Sequence, residues 1–362
     1  MIRLLDLPFD QLTHLMSDWD EPKFRAPQIW SWLYRDLATD VSAMTNLPRA
    51  LRERLARETT LELIRPVVEL TSNDGFTQKF LFRLNDGQTI ETVLMGYEAR
   101  RSVCISTQVG CAMDCPFCAT GQAGFVRNMT AGEIVSQVLF TARRLKQHAG
   151  PANTPDSPSE RGITNVVFMG MGEPMVNYEP MWQAVETLTD ARGFGLGARH
   201  ITISTVGIVN GIEKMARAHS QVNLAVSLHA PNDELRDRLV PINKRFPIAR
   251  LMQSVRDYQA TTHRRVTFEY ALMNGVNDSP AQARELAKLL KGLSAHVNLI
   301  PLNPTAGSPL KPTSRMEVRA FRAELEARGI PCTVRIGRGL DINAGCGQLR
   351  ETHALQNLRS TP

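Results

Sequence analysis

No stretch of this 362-residue chain approaches the roughly 18 to 20 consecutive apolar residues that span a bilayer. Residues 1–9 hold no long apolar run of the secretory-leader kind. Both absences point to a cytoplasmic protein. Charge of one sign is not in large excess either: 42 Lys plus Arg stand against 36 Asp plus Glu, for a net +6. That suits a polyanionic partner, yet it is also the level of an ordinary solvated surface. Cysteine is scarce, with six residues, and without a secretory route they read as reduced thiols for metal or catalysis rather than as disulfides. What remains, 43% hydrophobic and 22% charged, is an ordinary globular composition. The length suggests about two domains and a sizeable core.

The patterning changes along the chain. Up to about Thr60 it is helical and basic, with helices expected over Asp10 to Met16, Ala26 to Leu37 and Pro48 to Glu58. Phe24, Ile29, Trp30, Leu33 and Tyr34 recur near helical spacing and should form a small core. Arg49, Arg52, Arg54 and Arg57 lie along the third helix, as an RNA-facing surface or, by the commoner reading, a solvated face. From Leu61 to Met95 the period is two, punctuated by Asn73-Asp74-Gly75 and Asn85-Asp86-Gly87, so Thr77 to Leu84 and Gln88 to Met95 read as antiparallel strands. Glu91 on the second would alone be an unremarkable strand glutamate.

Beyond this, short apolar strands alternate with helices. Strands are expected at Ser102 to Ser106, Thr164 to Met169, His200 to Ser204, Val222 to Ser227, Val266 to Leu272, Val297 to Ile300 and Cys332 to Ile336. Thr130-x-x-Glu133 and Ser314-x-x-Glu317 are capping boxes that open helices. Such βα units imply a parallel sheet with right-handed crossovers, and about six before the last strand fit a partial (β/α) barrel. Barrel chemistry sits on loops after the C-terminal ends of strands, and every unusual loop here falls there. A polar insertion between His148 and Gly162 is assigned no function.

The first of those loops holds Cys111, Cys115 and Cys118, three thiols within eight residues at Cys-x3-Cys-x2-Cys spacing. A closed zinc site wants four ligands, whereas a four-iron cubane held by three thiolates leaves one iron open. With Phe117 before the third cysteine the loop resembles the signature of radical S-adenosylmethionine (SAM) enzymes. Gly172-Glu173-Pro174, one βα unit later, is similar to the element that receives the SAM amino group there. A narrower resemblance, to the RlmN/Cfr family of RNA methyltransferases, is carried by several stretches. They are Phe24-Arg25-Ala26, Ile90-Glu91-Thr92, Cys104 to Cys111, Ser227-Leu228-His229-Ala230-Pro231-Asn232, Gly275-Val276-Asn277-Asp278 and Asp341 to Leu349.

The resemblance implies an α/β fold: a partial (β/α)6 radical-SAM barrel over 98–336, preceded by an N-terminal helical accessory domain of RNA-binding type (1–60) and a short antiparallel β extension (61–97). A catalytic-cysteine loop and tail (337–362) would follow. It implies methylation of adenosine C2 in 23S rRNA and in tRNA beside the anticodon, using a [4Fe-4S] cluster, two SAM per turnover, a flavodoxin-like electron donor and a monomeric chain. By the same resemblance Cys111, Cys115 and Cys118 hold the cluster, and Gly172, Glu173, Ser204, Ser227, Leu228, His229 and Asn303 contact SAM. Cys346 would take a methyl group and carry the carbon to the base, Cys104 would release the product through a transient disulfide, and Glu91 would accept a proton. Because a free thiol is largely protonated at neutral pH, Cys346 needs a local positive field. Gly337, Gly339, Gly345 and Gly347 suggest a mobile loop around it. Gly345 stands where an Ala is common, and Cys332 has no counterpart and reads as a buried strand residue. The rival readings are C8 methylation of the same adenosine, a non-catalytic zinc-stabilised RNA-binding protein, and a radical enzyme acting on protein or small molecules.

Overall fold

A computed structural model of the chain describes residues 1–148, 162–305, 307–335 and 337–349. The expected insertion at 149–161 and the tail from 350 lie outside the described residues. At the N-terminus the short strands β1 (Ile2–Arg3) and β2 (Thr59–Thr60) pair in parallel. They bracket the helices α1 (Phe9–Asp18), α2 (Arg25–Tyr34) and α3 (Arg49–Glu58). Leu12 and Met16, then Ile29, Trp30, Leu33 and Tyr34, then Leu51 and Leu55 form the buried stripes, one per helix.

Phe24 does not join this core. It is 57% exposed, with the Arg25 guanidinium 4.7 Å from its ring centre, because it caps α2 and falls off the helix's buried stripe. The helix stops at Tyr34 rather than Leu37, where a left-handed φ of 62° turns the chain. The arginine row on α3 is engaged locally. Arg49 pairs with Glu53 at 2.7 Å, Arg52 donates to the Ser42 carbonyl, and Arg54 stacks 4.3 Å over Trp19.

The period-two region folds as β3 (Ile64–Thr71), β4 (Thr77–Leu84) and β5 (Thr89–Gly96), an antiparallel meander. Its turns place Gly75 and Gly87 at positive φ, as Asp-Gly turns require. Strand β5 pairs antiparallel with β6 (Arg101–Cys104), so the β extension and the barrel share one sheet. After β6, the short ribbon of β7 (Gln108–Gly110) and β8 (Phe125–Asn128) frames the cysteine loop and the one-turn helix α4 (Ala119–Gln122). Helix α5 (Ala131–His148) then crosses to β9 (Asn165–Phe168), which is parallel to β6.

The remaining units repeat this crossover. Helix α6 (Tyr178–Thr189) leads to β10 (Ile201–Thr205), and α7 (Val209–Arg217) to β11 (Asn223–Ser227). Two helices, α8 (Asp233–Leu239) and α9 (Ile248–Thr262), precede β12 (Val266–Leu272). Finally α10 (Pro280–Leu290), β13 (Ala295–Pro301), α11 (Arg315–Glu326) and β14 (Cys332–Val334) complete the series. Both Ser279 with Gln282 and Ser314 with Glu317 form reciprocal capping boxes. The sheet has ten strands in the order β14-β13-β12-β11-β10-β9-β6-β5-β4-β3. Those from β6 to β14 are mutually parallel, which is the expected barrel unit order.

Residues 337–349 run back from the β14 edge to the meander. The Asn73 amide donates to Asp341 at 2.8 Å, and Lys79 Nζ donates to the Asn343 carbonyl at 3.2 Å. This return brings the end of the described chain over the C-terminal ends of the parallel strands.

Candidate active site

The loops after β6, β9, β10, β11 and β13 surround one cavity. Cys111, Cys115, Cys118, Gly172, Glu173, Ser204, Ser227, His229, Asn303 and Cys346 all line it. These residues come from widely separated segments, and the strand-end rule alone gathers them.

Backbone economy shapes the cysteine loop. Gly110 sits at φ +72°, and a Cβ there would lie 1.9 Å from the Gly124 carbonyl oxygen, so only glycine allows the ribbon to close. The Cys111 amide then donates to that same carbonyl at 2.8 Å. Cys111 and Cys115 are buried and Cys118 half-buried. Burial is the main force raising all three thiols, and it pushes Cys111 up to about 12. Thiols in this setting ionise only if a bound cation takes the charge. Among the described residues no three His, Cys, Asp or Glu side chains converge to hold a single metal ion. A donor set of three soft thiols spread along one cavity wall fits a multi-iron group with an open iron, and does not fit a closed zinc tetrahedron.

Sequence reasoning missed a cation here. Arg236 is fully buried, with Nε donating to the Leu228 carbonyl at 3.1 Å, Nη1 to Asn243 Oδ1 at 2.8 Å and Nη2 to the Val206 and Ser227 carbonyls. It ties the loops after β10 and β11 to α8. Burial lowers its pKa to about 10, and proximity to Cys115 opposes that shift. The available signal was Asn232, whose side chain caps α8 by accepting from the Leu235 amide.

The expected SAM contacts are fixed in distinct ways. Glu173 is buried, with one carboxylate oxygen accepting from the Met175 amide at 3.0 Å and the other from the Val206 amide at 2.8 Å. Each oxygen keeps a further lone pair for a ligand. Burial raises its pKa to about 7, while those amides and Thr205 lower it. Gly172, at φ +101°, packs on the Gln108 side chain, where a Cβ would lie 2.6 Å away. Ser204 and Ser227 face each other at 3.3 Å. His229 Nδ1 accepts from the Ala271 amide at 3.0 Å, which leaves Nε2 as the protonated donor. Its ring meets Phe117 edge-on at 4.9 Å, and burial, then Arg236, lowers its pKa to about 3. Asn303 donates to the Cys346 carbonyl at 3.0 Å. Leu228 is the exception: its side chain lies in the core, and its amide and carbonyl are used by Glu269 and Arg236.

The remaining thiols divide. Cys332 is buried on β14. Cys104 and Cys346 share a small pocket with Arg335, next to the main cavity. Burial, then the nearby Cys346, pushes the Cys104 thiol up to about 12, and the Arg335 guanidinium pulls the other way. Arg335 is held in its charged form first by Cys346, with Glu269 adding to this at 3.9 Å. Its guanidinium reaches this pocket from just beyond β14.

Glu91 does not line the cavity. It is buried on β5, where Lys79 Nζ meets Oε1 at 3.0 Å. The loop around Cys346 is also more anchored than its glycines suggest. Gly339 and Gly347 do take positive φ, but the Ala119 amide donates to the Gly347 carbonyl and Thr120 to the Leu349 carbonyl, both at 2.7 Å. Gly345 serves close approach, since a Cβ there would lie 2.6 Å from Asn303 Nδ2.

Comparison with known proteins agrees with this geometry. Residues 2–61 match the ribosomal RNA large subunit methyltransferase N-terminal domain, and residues 105–290 match the radical SAM superfamily. A probable dual-specificity RNA methyltransferase RlmN from Chloroflexus aurantiacus is 49% identical, over 97% of this chain and 93% of its own length. A protein of the same description from Thermus thermophilus is 51% identical over 90% and 88%. The crystal structure of a radical SAM methyltransferase from Sphaerobacter thermophilus superimposes with a TM-score of 0.92 at 51% identity, covering 97% of this chain and 99% of that one. With one model matched at the N-terminus, another across the thiol loop and the Gly-Glu-Pro turn, and relatives near half identical over almost the whole chain, the chain belongs to the RlmN family of radical SAM methyltransferases.

Proposed function

We propose that this enzyme methylates C2 of an adenosine in 23S rRNA and of the adenosine beside the anticodon in tRNAs, through methylated Cys346 and a covalent RNA adduct. The observation that carries this reading is the second thiol pair. An enzyme that alkylated a nucleophile directly would have no use for Cys104 and Cys346 in one pocket with Arg335 beside the cavity. Adenine C2 is an electron-poor carbon that cannot displace the methyl of a sulfonium, whereas a thiolate can. The printed descriptions of the relatives, as dual-specificity and large-subunit ribosomal RNA methyltransferases, support RNA as the substrate.

When bound by Cys111, Cys115 and Cys118, a [4Fe-4S] cluster with two SAM per turnover and a flavodoxin-like donor supplies the methyl group and a deoxyadenosyl radical. Gly172, Glu173, Ser204, Ser227, His229 and Asn303 orient SAM, with His229 as a neutral donor. Arg335 lines the pocket that Cys346 shares with Cys104. Cys346 carries the carbon to the base, Glu91 accepts the proton the base loses, and the Cys104 sulfur joins that of Cys346 as the product leaves. Residues 1–60 serve as the RNA-binding accessory domain of a monomer, 61–97 as the β extension, 98–336 as the barrel and 337–362 as the catalytic segment. The test is mass spectrometry of nucleosides from rRNA and tRNA after anaerobic turnover. 2-Methyladenosine is the expected product. 8-Methyladenosine in its place overturns the position of attack, and unmodified RNA overturns the substrate.

A further inference from the structure

The segment that carries Cys346 is held from the far side by one buried ion pair. Lys79 on β4 is 6% exposed and Glu91 on β5 is 1% exposed. The Lys79 ammonium meets Glu91 Oε1 at 3.0 Å and donates to the Asn343 carbonyl at 3.2 Å. Asn343 lies in a left-handed conformation (φ 51°) at the end of a short 3-10 turn, three residues before Cys346. Two neighbouring contacts lie on the same hairpin: the Asn73 amide on Asp341 at 2.8 Å, and Thr77 against Gly339. The Lys79 contact brings a buried charge from the sheet to the segment.

An ammonium this buried needs a counter-charge, and Glu91 supplies it. Without that carboxylate the ammonium would lose the partner that fixes its direction, and the carbonyl of Asn343 would lose its donor. We propose that Lys79 is a positioning residue: paired with Glu91, it latches the 337–349 segment so that Cys346 stays within reach of Cys104. The latch is a role for Glu91 beside the proton acceptance proposed above, and it uses the buried contact that its side chain makes with Lys79. The inference deepens the reading of Cys104 and Cys346 as a working pair, but its test needs no RNA and no turnover, so either can fail alone.

The experiment uses the full chain, anaerobically reconstituted, as Lys79→Met, Lys79→Arg and Glu91→Gln. One measurement is hydrogen exchange of peptides from 337–349. The other is the equilibrium of the Cys104–Cys346 disulfide against a glutathione buffer, read by thiol trapping and peptide mass. Loss of one charge-assisted hydrogen bond predicts about tenfold faster exchange in that segment, and an equilibrium shifted about tenfold toward the dithiol, in both Lys79→Met and Glu91→Gln. Lys79→Arg should remain near the parent. The proposal is overturned if Glu91→Gln behaves as the parent while Lys79→Met does not. It is equally overturned if exchange rises as much in β12 as in 337–349, which would mean general loosening. Unchanged values in all three variants also overturn it.

Discussion

Cys104 and Cys346 occupy opposite environments, the one buried with its thiol pushed to about 12 and the other exposed to the cavity. In the proposed mechanism the exposed thiol meets donor and base, and the buried one acts last. Cys104→Ala should therefore stall after carbon transfer. The expected outcome is chain covalently bound to RNA, seen as a nuclease-sensitive shift on a denaturing gel; a variant that releases methylated RNA normally would contradict the order of steps.

His229 permits a pH test with a defined sign. Its ordinary value of 6.5 falls to about 3 in the folded chain, so between these values the unfolded chain binds the extra proton. Its contribution to stability is complete above pH 6.5 and is lost as pH falls from 6.5 toward 3. His229→Gln should flatten the fall of the urea midpoint across that window. A slope equal to the parent's would remove the buried neutral imidazole from the account.

Elements were the most readable part of the sequence. Strands β4 and β12 begin and end where the pattern places them, and the Ser314 capping box opens α11, because apolar periodicity, Asp-Gly turns and capping pairs act within a few residues. Ser314→Ala should lower stability by about 1 kcal/mol, the usual worth of a cap, measurable as a shift in urea midpoint. The ribbon β7–β8 was not legible, since strands of three and four residues carry no periodicity. Helix α8 was not read from the sequence, and its main task is to aim Arg236. Arg236→Met would remove the guanidinium donor from the carbonyls of Val206 and Ser227 and one of the two donors to Leu228, at about 1 to 3 kcal/mol for each group left unsatisfied. The expected result is a marked drop in melting temperature and poor iron incorporation on reconstitution, whereas full iron content would show that the cysteine loop does not depend on this brace.

At the scale of the whole molecule, one rule, that barrel chemistry collects at strand ends, pointed to the loops of the cavity, and the motif resemblance pointed to the residues on them. The positions hidden from the sequence were those whose meaning is a partner far along the chain. Arg335 gains its role from Cys104 and Cys346, and Lys79 from Asn343, 264 residues away. The engagement of Leu228 by Glu269 and Arg236 was equally invisible, because motif resemblance names positions and not the groups that already occupy them. Anaerobic reconstitution should yield [4Fe-4S] stoichiometry and a brown chromophore, abolished in Cys111→Ala. A single zinc per chain would return the protein to the zinc-binding reading.

Thr120 reaches the Leu349 carbonyl across 229 residues of chain, and this has a bearing on biogenesis. On the ribosome, the thiol loop emerges long before the residues that cap it. The loop therefore stands uncovered during synthesis, and Cys346 arrives only once the rest of the sheet has been made. Under the proposed mechanism, a nascent chain cut short before that point would hold the three thiols of the loop yet have no means of moving carbon.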